Sequence, residues 1–413
     1  MFDAFSRLCR SPLCMMSAIA ALTLLAGCKR PSAPIPELSS RPLYSRIFLQ
    51  IDQAEAKTDP IERCLSYPSP PHLQWPEQLI HVLCADLYTP VMQAPDIKAM
   101  IDRKDWKGLH DRYSGYLERH YSGADPEKLL YRAFPLRSWN SLQEADKYTR
   151  KWVAAVPNDP FANTARGAVL VSSAWGARGN GFFRDIPDSH RRQMYKLALE
   201  ATQHLRKAIV AEPKLLPAYS HLIDAYVLGG KQEWVQTALQ AAIKQSPDTY
   251  YVRDGAVEYL KQKWGGRPRD MDALVDSSKR YIKRNPRLAM IGADRLIEAG
   301  DQASDQKKYK PALAYYREAL ALGPDQAALL SAAFVAPKLG YHVEKLIYLT
   351  QDIRFSKDPR DSLMQRALIW ESDGDFERAM RDYQAAKKFY PADAEIDKRI
   401  SAARKREKEF VRK

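Results

Sequence analysis

The residues of this chain best able to do chemistry are five cysteines, eight histidines and a close pair of aspartates. Cys9 and Cys14 precede Cys28 in the first stretch of sequence, which leaves Cys64 and Cys84 as thiols of the body. They have no Cys-x-x-Cys spacing and no accompanying histidine cluster, so redox and zinc chemistry are poorly supported. An even pair in an oxidising compartment predicts one disulfide instead. It would close a loop of about 20 residues and contribute about 3 kcal/mol by restricting the unfolded chain. The loop, Leu65-Ser66-Tyr67-Pro68-Ser69-Pro70-Pro71, is proline-rich and gains from such a tie. His72, His81, His110, His120, His190, His204, His221 and His342 form no His-Glu-x-x-His or other ligand spacing. There is no phosphate-cradling glycine loop and no Gly-x-Ser-x-Gly elbow. Asp373 and Asp375 fall at a turn, where helix capping accounts for them. The expectation is a protein that is not an enzyme, with no metal site and no cofactor.

Two tryptophan-glycine segments stand apart: Ala174-Trp175-Gly176-Ala177-Arg178-Gly179 and Lys263-Trp264-Gly265-Gly266-Arg267-Pro268. A tryptophan followed by glycines suits a helix end, where the backbone turns and the indole covers the last turn. The alternative is a binding platform built from Trp175, Arg178, Trp264 and Arg267.

The elements that must position these residues are helices. Apolar residues recur at three- and four-residue spacing between breakers, and no segment reads as a strand. The pattern Ala-x3-[Tyr/Leu]-x2-Ala-x4-Pro occurs at Ala201, Leu205, Ala208, Pro213; at Ala312, Tyr316, Ala319, Pro324; and at Ala379, Tyr383, Ala386, Pro391. A near copy has Val235, Leu239, Ala242 and Pro247, and its proline follows Pro213 by the period of a two-helix repeat. Tyr219, Leu222, Ile223 and Tyr226 mark the first helix of that unit, as Leu363, Arg366, Ala367 and Trp370 do before the last proline. Gly230 and Gly374 fall where the two helices turn. Small alanines let antiparallel helices approach, Tyr or Leu fills the gap to the next pair, and proline ends the second helix. This period and residue set resemble the tetratricopeptide repeat. The implied fold is an all-α helical-hairpin solenoid, bent or interrupted around the irregular copies at Ala145 to Pro157 and Leu274 to Pro286. With the tryptophan-glycine segments, residues 100 to 300 also resemble the bacterial domain-of-unknown-function family 4034, which carries no assigned activity.

Arg7 and Arg10 precede an apolar stretch from Leu13 to Gly27, too short for a comfortable membrane span. Its end, Leu25-Ala26-Gly27-Cys28, resembles the bacterial lipobox. That resemblance implies cleavage before Cys28 and a diacylglycerol on its thiol, with further acyl chains such as palmitate making the anchor durable. Lys29 follows, not the aspartate that resembles an inner-membrane retention signal. The expected address is therefore the cell envelope, on the outer membrane facing the periplasm. The organisation predicted is a signal peptide at 1–27, a lipidated proline-containing tether at 28–42, an N-terminal helical segment at 43–125, the repeats at 126–393 and a basic capping helix at 394–413.

The formal charge is +14, from 64 Lys and Arg against 50 Asp and Glu. Such a balance favours acidic partners, among them anionic lipid and cell-wall polymer. Because the charges lie in mixed runs and not in one basic block, nucleic acid is not expected. A solenoid presents a long surface formed mainly by the first helix of each repeat. In the best repeat that surface offers Ser220, Asp224, Val227 and Leu228. The lysine and asparagine set with which some tetratricopeptide domains clamp a C-terminal carboxylate is missing at the corresponding places. The leading reading is a non-catalytic, lipid-anchored scaffold or assembly factor that binds envelope proteins. The alternative is an immunity lipoprotein that neutralises an antibacterial toxin, and a cell-wall-active enzyme ranks third.

Overall fold

The computed structural model describes residues 41–411 apart from Pro71, residues 135–137, Asn180, residues 262–263 and Gly265. Cys28 and most of the predicted tether lie outside the described residues. Every regular element that is described is helical. The first six helices are α1 (Arg41–Glu55), α2 (Pro60–Ser66), α3 (Glu77–Tyr88), α4 (Ala94–Asp102), α5 (Trp106–Ser122) and α6 (Glu127–Arg132), and α7 (Leu142–Ala155) follows. Six helical pairs then run to the end of the array: α8 (Pro160–Arg178) with α9 (Asp188–Ala211), α10 (Leu216–Leu228) with α11 (Val235–Gln245), α12 (Tyr251–Tyr259) with α13 (Pro268–Lys279), α14 (Ala293–Asp305) with α15 (Tyr309–Leu320), α16 (Gln326–Val335) with α17 (His342–Phe355), and α18 (Arg360–Ser372) with α19 (Phe376–Phe389). A terminal helix, α20 (Ala394–Val411), packs on α19 through Ile396 and Ala403.

Local chemistry sets the ends of these helices. The Asp159 carboxylate accepts from the Ala162 amide at 2.7 Å, and Pro160 occupies the first turn of α8. Asp325 caps α16 in the same way, and Asp375 caps α19 while Asp373 closes α18. The aspartate pair is thus accounted for by capping. Gly230 and Gly374 turn their hairpins with φ of +67° and +80°.

The repeat alanines do the packing work their size allows. Ala201, Ala208, Ala312, Ala319, Ala379 and Ala386 are all fully buried, as are Leu205 and Tyr383. On the facing first helices, Gly167 meets Leu205 and Gly300 meets the Tyr316 ring. A Cβ there would stand 2.5 Å and 2.4 Å from those side chains. Adding even a methyl at Gly300 would cost about 1–3 kcal/mol through overpacking. The array is a tetratricopeptide-like solenoid, and it is interrupted where its sequence pattern is weakest. α13 packs less on its partner α12 than on the 3-10 turn Pro286–Gly292 that follows it.

The N-terminal segment does not precede the solenoid; it lies along it. Phe48 sits edge-on to Trp370 at 4.9 Å, and Asp52 pairs with Arg378 and Arg381 of the last hairpin. Farther along, the Arg354 guanidinium donates to the Cys64 carbonyl at 2.7 Å and the Trp75 indole to the Leu320 carbonyl at 2.6 Å. Asp86 pairs with Arg287 and accepts from the Tyr251 hydroxyl, and Glu127 accepts from the Tyr250 amide and the Thr249 hydroxyl. Tyr121 donates to the Lys214 carbonyl, and His110 contacts Asp159. As residue number rises from 48 to 110, the position on the array falls from Trp370 of the last hairpin to Asp159 at the start of the first, and residues 121–131 then turn back to Lys214 and Thr249–Tyr251. From α1 to α5 the strap runs antiparallel to the solenoid, starting beside the turn of the last hairpin and then following the edge where successive hairpins are joined. The disulfide between Cys64 and Cys84, with Cα atoms 5.8 Å apart, ties α2 to α3 midway. The proline-rich loop between them carries Leu73 and Trp75 into the core. Because the strap covers it, α17 is buried almost all round, and its Glu344 is matched inside, both carboxylate oxygens accepting from Arg317 of α15 at 2.6–2.7 Å.

Candidate functional site

The helix that carries Trp175, α8, and the helix that ends five residues before Trp264, α12, both flank α10. This arrangement brings the two segments together although 89 residues separate Trp175 from Trp264 in sequence. Their rings meet edge to face at 5.9 Å, and the Arg178 guanidinium lies 5.6 Å from one and 5.1 Å from the other. Tyr259 packs on Trp264 at 5.8 Å and donates its hydroxyl to Asp224. The Trp264 indole donates to Glu258 at 3.2 Å, and Lys261 bridges Glu258 to Asp294. Trp175, Arg178, Trp264, Tyr259 and Asp224 therefore form one connected group, with Trp175, Arg178 and Trp264 half-buried and facing outward. Indole faces with a guanidinium between them offer stacking area plus fixed donors.

Four of the eight candidate contacts fall elsewhere. Arg267 is exposed and turned onto Asp270, donating at 2.7 Å and 3.2 Å, so it stays out of the tryptophan group. Leu228 is 3 % exposed and belongs to the core. Val227 packs against that core, and the Ser220 hydroxyl lies beside the Tyr131 phenol of the strap. The physical reason is that α10 is apolar on nearly every side and is enclosed by α8, α12 and the strap helix α6. Its exposed face is smaller than that of a typical first repeat helix.

Other aromatics that the sequence reading did not single out stand at the hairpin turns. Phe182 is 73 % exposed, Phe183 49 % and Trp234 48 %. Tyr195 is exposed and leans over the Gly230 turn, and Trp234 tilts against Tyr226 at 6.3 Å. Arg184 covers the Phe182 ring at 5.4 Å and Arg191 the Phe183 ring at 5.8 Å. Their signal was position: large apolar residues inside turn segments have no periodicity to explain them by burial.

Several acids in this half of the molecule are held near neutrality. Burial pushes the Asp224 carboxyl up to about 6 against the opposing hydrogen bond from Tyr259. Asp254 is pushed up to about 7 by burial and by the carboxylates of Asp294 and Asp325, while the Tyr250 hydroxyl donates to it at 2.8 Å. His221, beside Asp224, is pushed down to about 4 by burial and is neutral at physiological pH. Among the described residues no group of three His, Cys, Asp or Glu side chains is arranged to hold a metal ion. No described helix is long and apolar enough to cross a membrane.

Comparisons with known proteins add little beyond the fold. No protein-family model matches the chain, and no curated protein matches it. Among solved structures, it is similar to yeast Tom70 at 12 % identity, covering 90 % of this chain and 85 % of that one with a TM-score of 0.38. It is similar to the TPR domain of P58(IPK) at 13 % identity, covering 90 % and 99 % with a TM-score of 0.28. The APC/C heterotetramer Cut9–Hcn1 gives 14 % identity, 87 % and 68 % coverage and a TM-score of 0.30. At these scores the likenesses carry no argument, and the architecture rests on the hairpins themselves.

Proposed function

We propose that this chain is a lipid-anchored envelope protein that binds protein partners without catalysis, as a scaffold or assembly factor. The observation that carries the reading is the contrast between the two long edges of the solenoid. One edge is occupied by the chain's own strap, whereas the other keeps Phe182, Phe183 and Trp234 in solvent next to the Trp175–Arg178–Trp264 group. Exposed aromatics at hairpin turns with arginines over two of their rings have the composition of interface hot spots, and a monomer gains nothing by leaving them wet. The excess of basic residues favours an acidic partner. Support for the address comes from the lipobox-like Leu25-Ala26-Gly27-Cys28 and from a disulfide, which persists in an oxidising compartment.

Site-specific photo-crosslinking in the native envelope tests this. A crosslinker in place of Trp234 or Phe182 is expected to capture defined envelope proteins, while one at Lys405, on the exposed face of α20, is expected to capture none. Equal capture at both places, or none at the turns, would remove the proposal. Cys28→Ala is expected to release the protein from membranes; retention in high salt would refute the anchor.

A further inference from the structure

Where the strap crosses the last hairpin it leaves a cavity of about 620 Å³, within the size range of small-ligand sites. One part of its wall is apolar, from Leu87, Ile353, Leu363 and Phe389. Another part is cationic, and the cations there are unevenly matched. Glu55 and Asp382 line the cavity, but both are committed to Arg366 at 2.7 Å and 2.6 Å. Arg354 is 2 % exposed, yet its guanidinium meets only neutral acceptors: the Cys64 carbonyl at 2.7 Å and the Gln351 side chain at 3.2 Å. Tyr67 and Phe355 flank it with their rings. Arg63, Lys357 and Lys388 line the same cavity and form no ion pair among the described residues. Finally, Arg381, also on the cavity wall, pairs with Asp52 and Glu55 through Nη2 but leaves its buried Nε without a hydrogen-bond partner among the described residues.

A buried guanidinium without a carboxylate is costly, because nothing repays its lost hydration. The strain shows on neighbouring charges as well. Burial pushes Arg354 down to about 10, and partial desolvation together with Arg132 and Lys128 holds Lys357 down to about 8. An anion entering the cavity would relieve all of these groups at once. A bare anion would use only the cationic wall and leave Leu363, Ile353 and Phe389 around empty apolar space.

We propose that this cavity binds an amphiphilic anion, whose carboxylate or phosphate-ester head is held by Arg63, Arg354 and Lys357 and whose alkyl body lies on Ile353, Leu363 and Phe389. The site is independent of the aromatic hairpin turns and of whatever protein docks there. The two headgroup sources share one chemistry and are separated by experiment.

Calorimetric titration of the full chain with decanoate, decyl phosphate, inorganic phosphate and decanol, each below its micellar concentration, tests the site. Saturable binding of one molecule per chain is expected for decanoate or decyl phosphate, and the tighter of the two identifies the headgroup. Inorganic phosphate is expected to bind at least tenfold more weakly, and decanol without saturation. The double variant Lys357→Ala/Lys388→Ala changes two exposed side chains and is expected to keep its thermal midpoint while losing tenfold or more in affinity for the amphiphile. The proposal is overturned if neither amphiphile saturates, if inorganic phosphate or decanol binds as tightly, or if the folded double variant binds like the parent.

Discussion

Under the strap, Asp86 is buried against Arg287, and Glu127 and Glu55, with side chains only 11 % and 12 % exposed, pair with the Thr249–Tyr251 backbone and with Arg366. Along the opposite edge, at the hairpin turns, Phe182, Phe183 and Trp234 stand in water with arginines over two of their rings. The two edges invert the usual distribution, with charge inside and aromatic rings outside. Buried ionic contacts contribute little net stability, but each punishes a wrong partner or a slipped register, since a lone buried charge is expensive. They suit a segment that must dock in one place. Exposed aromatic area has the opposite character: it costs the free monomer little structure and gains energy only when something covers it. The strap therefore reads as a permanent intramolecular ligand, and the turn edge as the vacancy left for an external one.

The largest effect is expected where a strap contact is cut on one side only. Asp86→Ala leaves the Arg287 Nε and the Tyr251 hydroxyl without their acceptor, and Arg287 with only neutral oxygens and the more distant Glu127, in a site where Asp86 is 1 % exposed. The loss should be about 3–5 kcal/mol, read as a lower urea midpoint; a loss under about 1 kcal/mol would mean that the strap is held by apolar packing alone. Next in size is the tie at its centre. Cys64→Ala/Cys84→Ala should cost about 3 kcal/mol for a loop of about 20 residues, and reduction of the parent should lower its thermal midpoint by the same amount. If reduction left the midpoint unchanged, the bridge would not be constraining the strap.

The difference between the edges also explains how much was legible in the sequence. The array was legible because Ala201, Leu205, Ala208 and their counterparts repeat one packing solution, and packing at helical spacing leaves a period. The strap was not, because its contacts, ionic and aromatic alike, join residues far apart in sequence. Asp86 meets Arg287 across 201 residues, and Asp52 meets Arg378 across 326. A single Asp–Arg contact carries no periodicity, and the 43–125 segment consequently read as something placed before the solenoid. The disulfide needed only cysteine arithmetic and compartment chemistry. At the candidate site, the two tryptophan-glycine motifs were visible as motifs, but their meeting depends on α8 and α12 both flanking α10. Arg267 stays out of that meeting because Asp270, three residues away, takes its guanidinium, a local pair that competes well with any distant ring. Leu228 read as a surface position because a first repeat helix ordinarily shows one face to solvent, whereas its side chain is 3 % exposed in the core.

A smaller, pH-dependent effect distinguishes the buried acids near the candidate site from the strap pairs. The Asp254 carboxyl titrates at about 7 in the folded protein against an ordinary value of 3.8. Between about pH 4 and 7 the folded chain keeps a proton that the unfolded chain has released, so this contribution is full below about pH 4 and is lost as pH rises through 7. Asp254→Asn keeps an oxygen for the Tyr250 hydroxyl and removes the titration. Its thermal midpoint should exceed the parent's at pH 8 by an amount on the order of 1 kcal/mol after solvent screening, with the two converging near pH 4. Asp224, raised to about 6, should leave a residual slope of the same sign in a narrower window. Parallel curves for variant and parent across this range would show that Asp254 is ionised in the folded protein.

The smallest change in stability is expected at the turns, and there the contrast between the edges becomes a measurement. Trp234 is about half exposed, so Trp234→Ala removes little buried area and should alter stability by no more than about 0.5 kcal/mol. A central aromatic in an interface is nevertheless worth about 2 kcal/mol or more on truncation, which is roughly a thirtyfold loss of affinity. The variant should therefore unfold like the parent while its crosslinked envelope partners fall at least tenfold, and Phe182→Ala should behave alike. Combined with Asp86→Ala, its small stability effect should simply add, because the two residues share no contact. If Trp234→Ala instead destabilised the fold as strongly as Asp86→Ala, the turn aromatics would be structural like the strap. The recognition surface would then have to lie on the first helices of the later hairpins, where Leu330 and Phe334 of α16 are exposed.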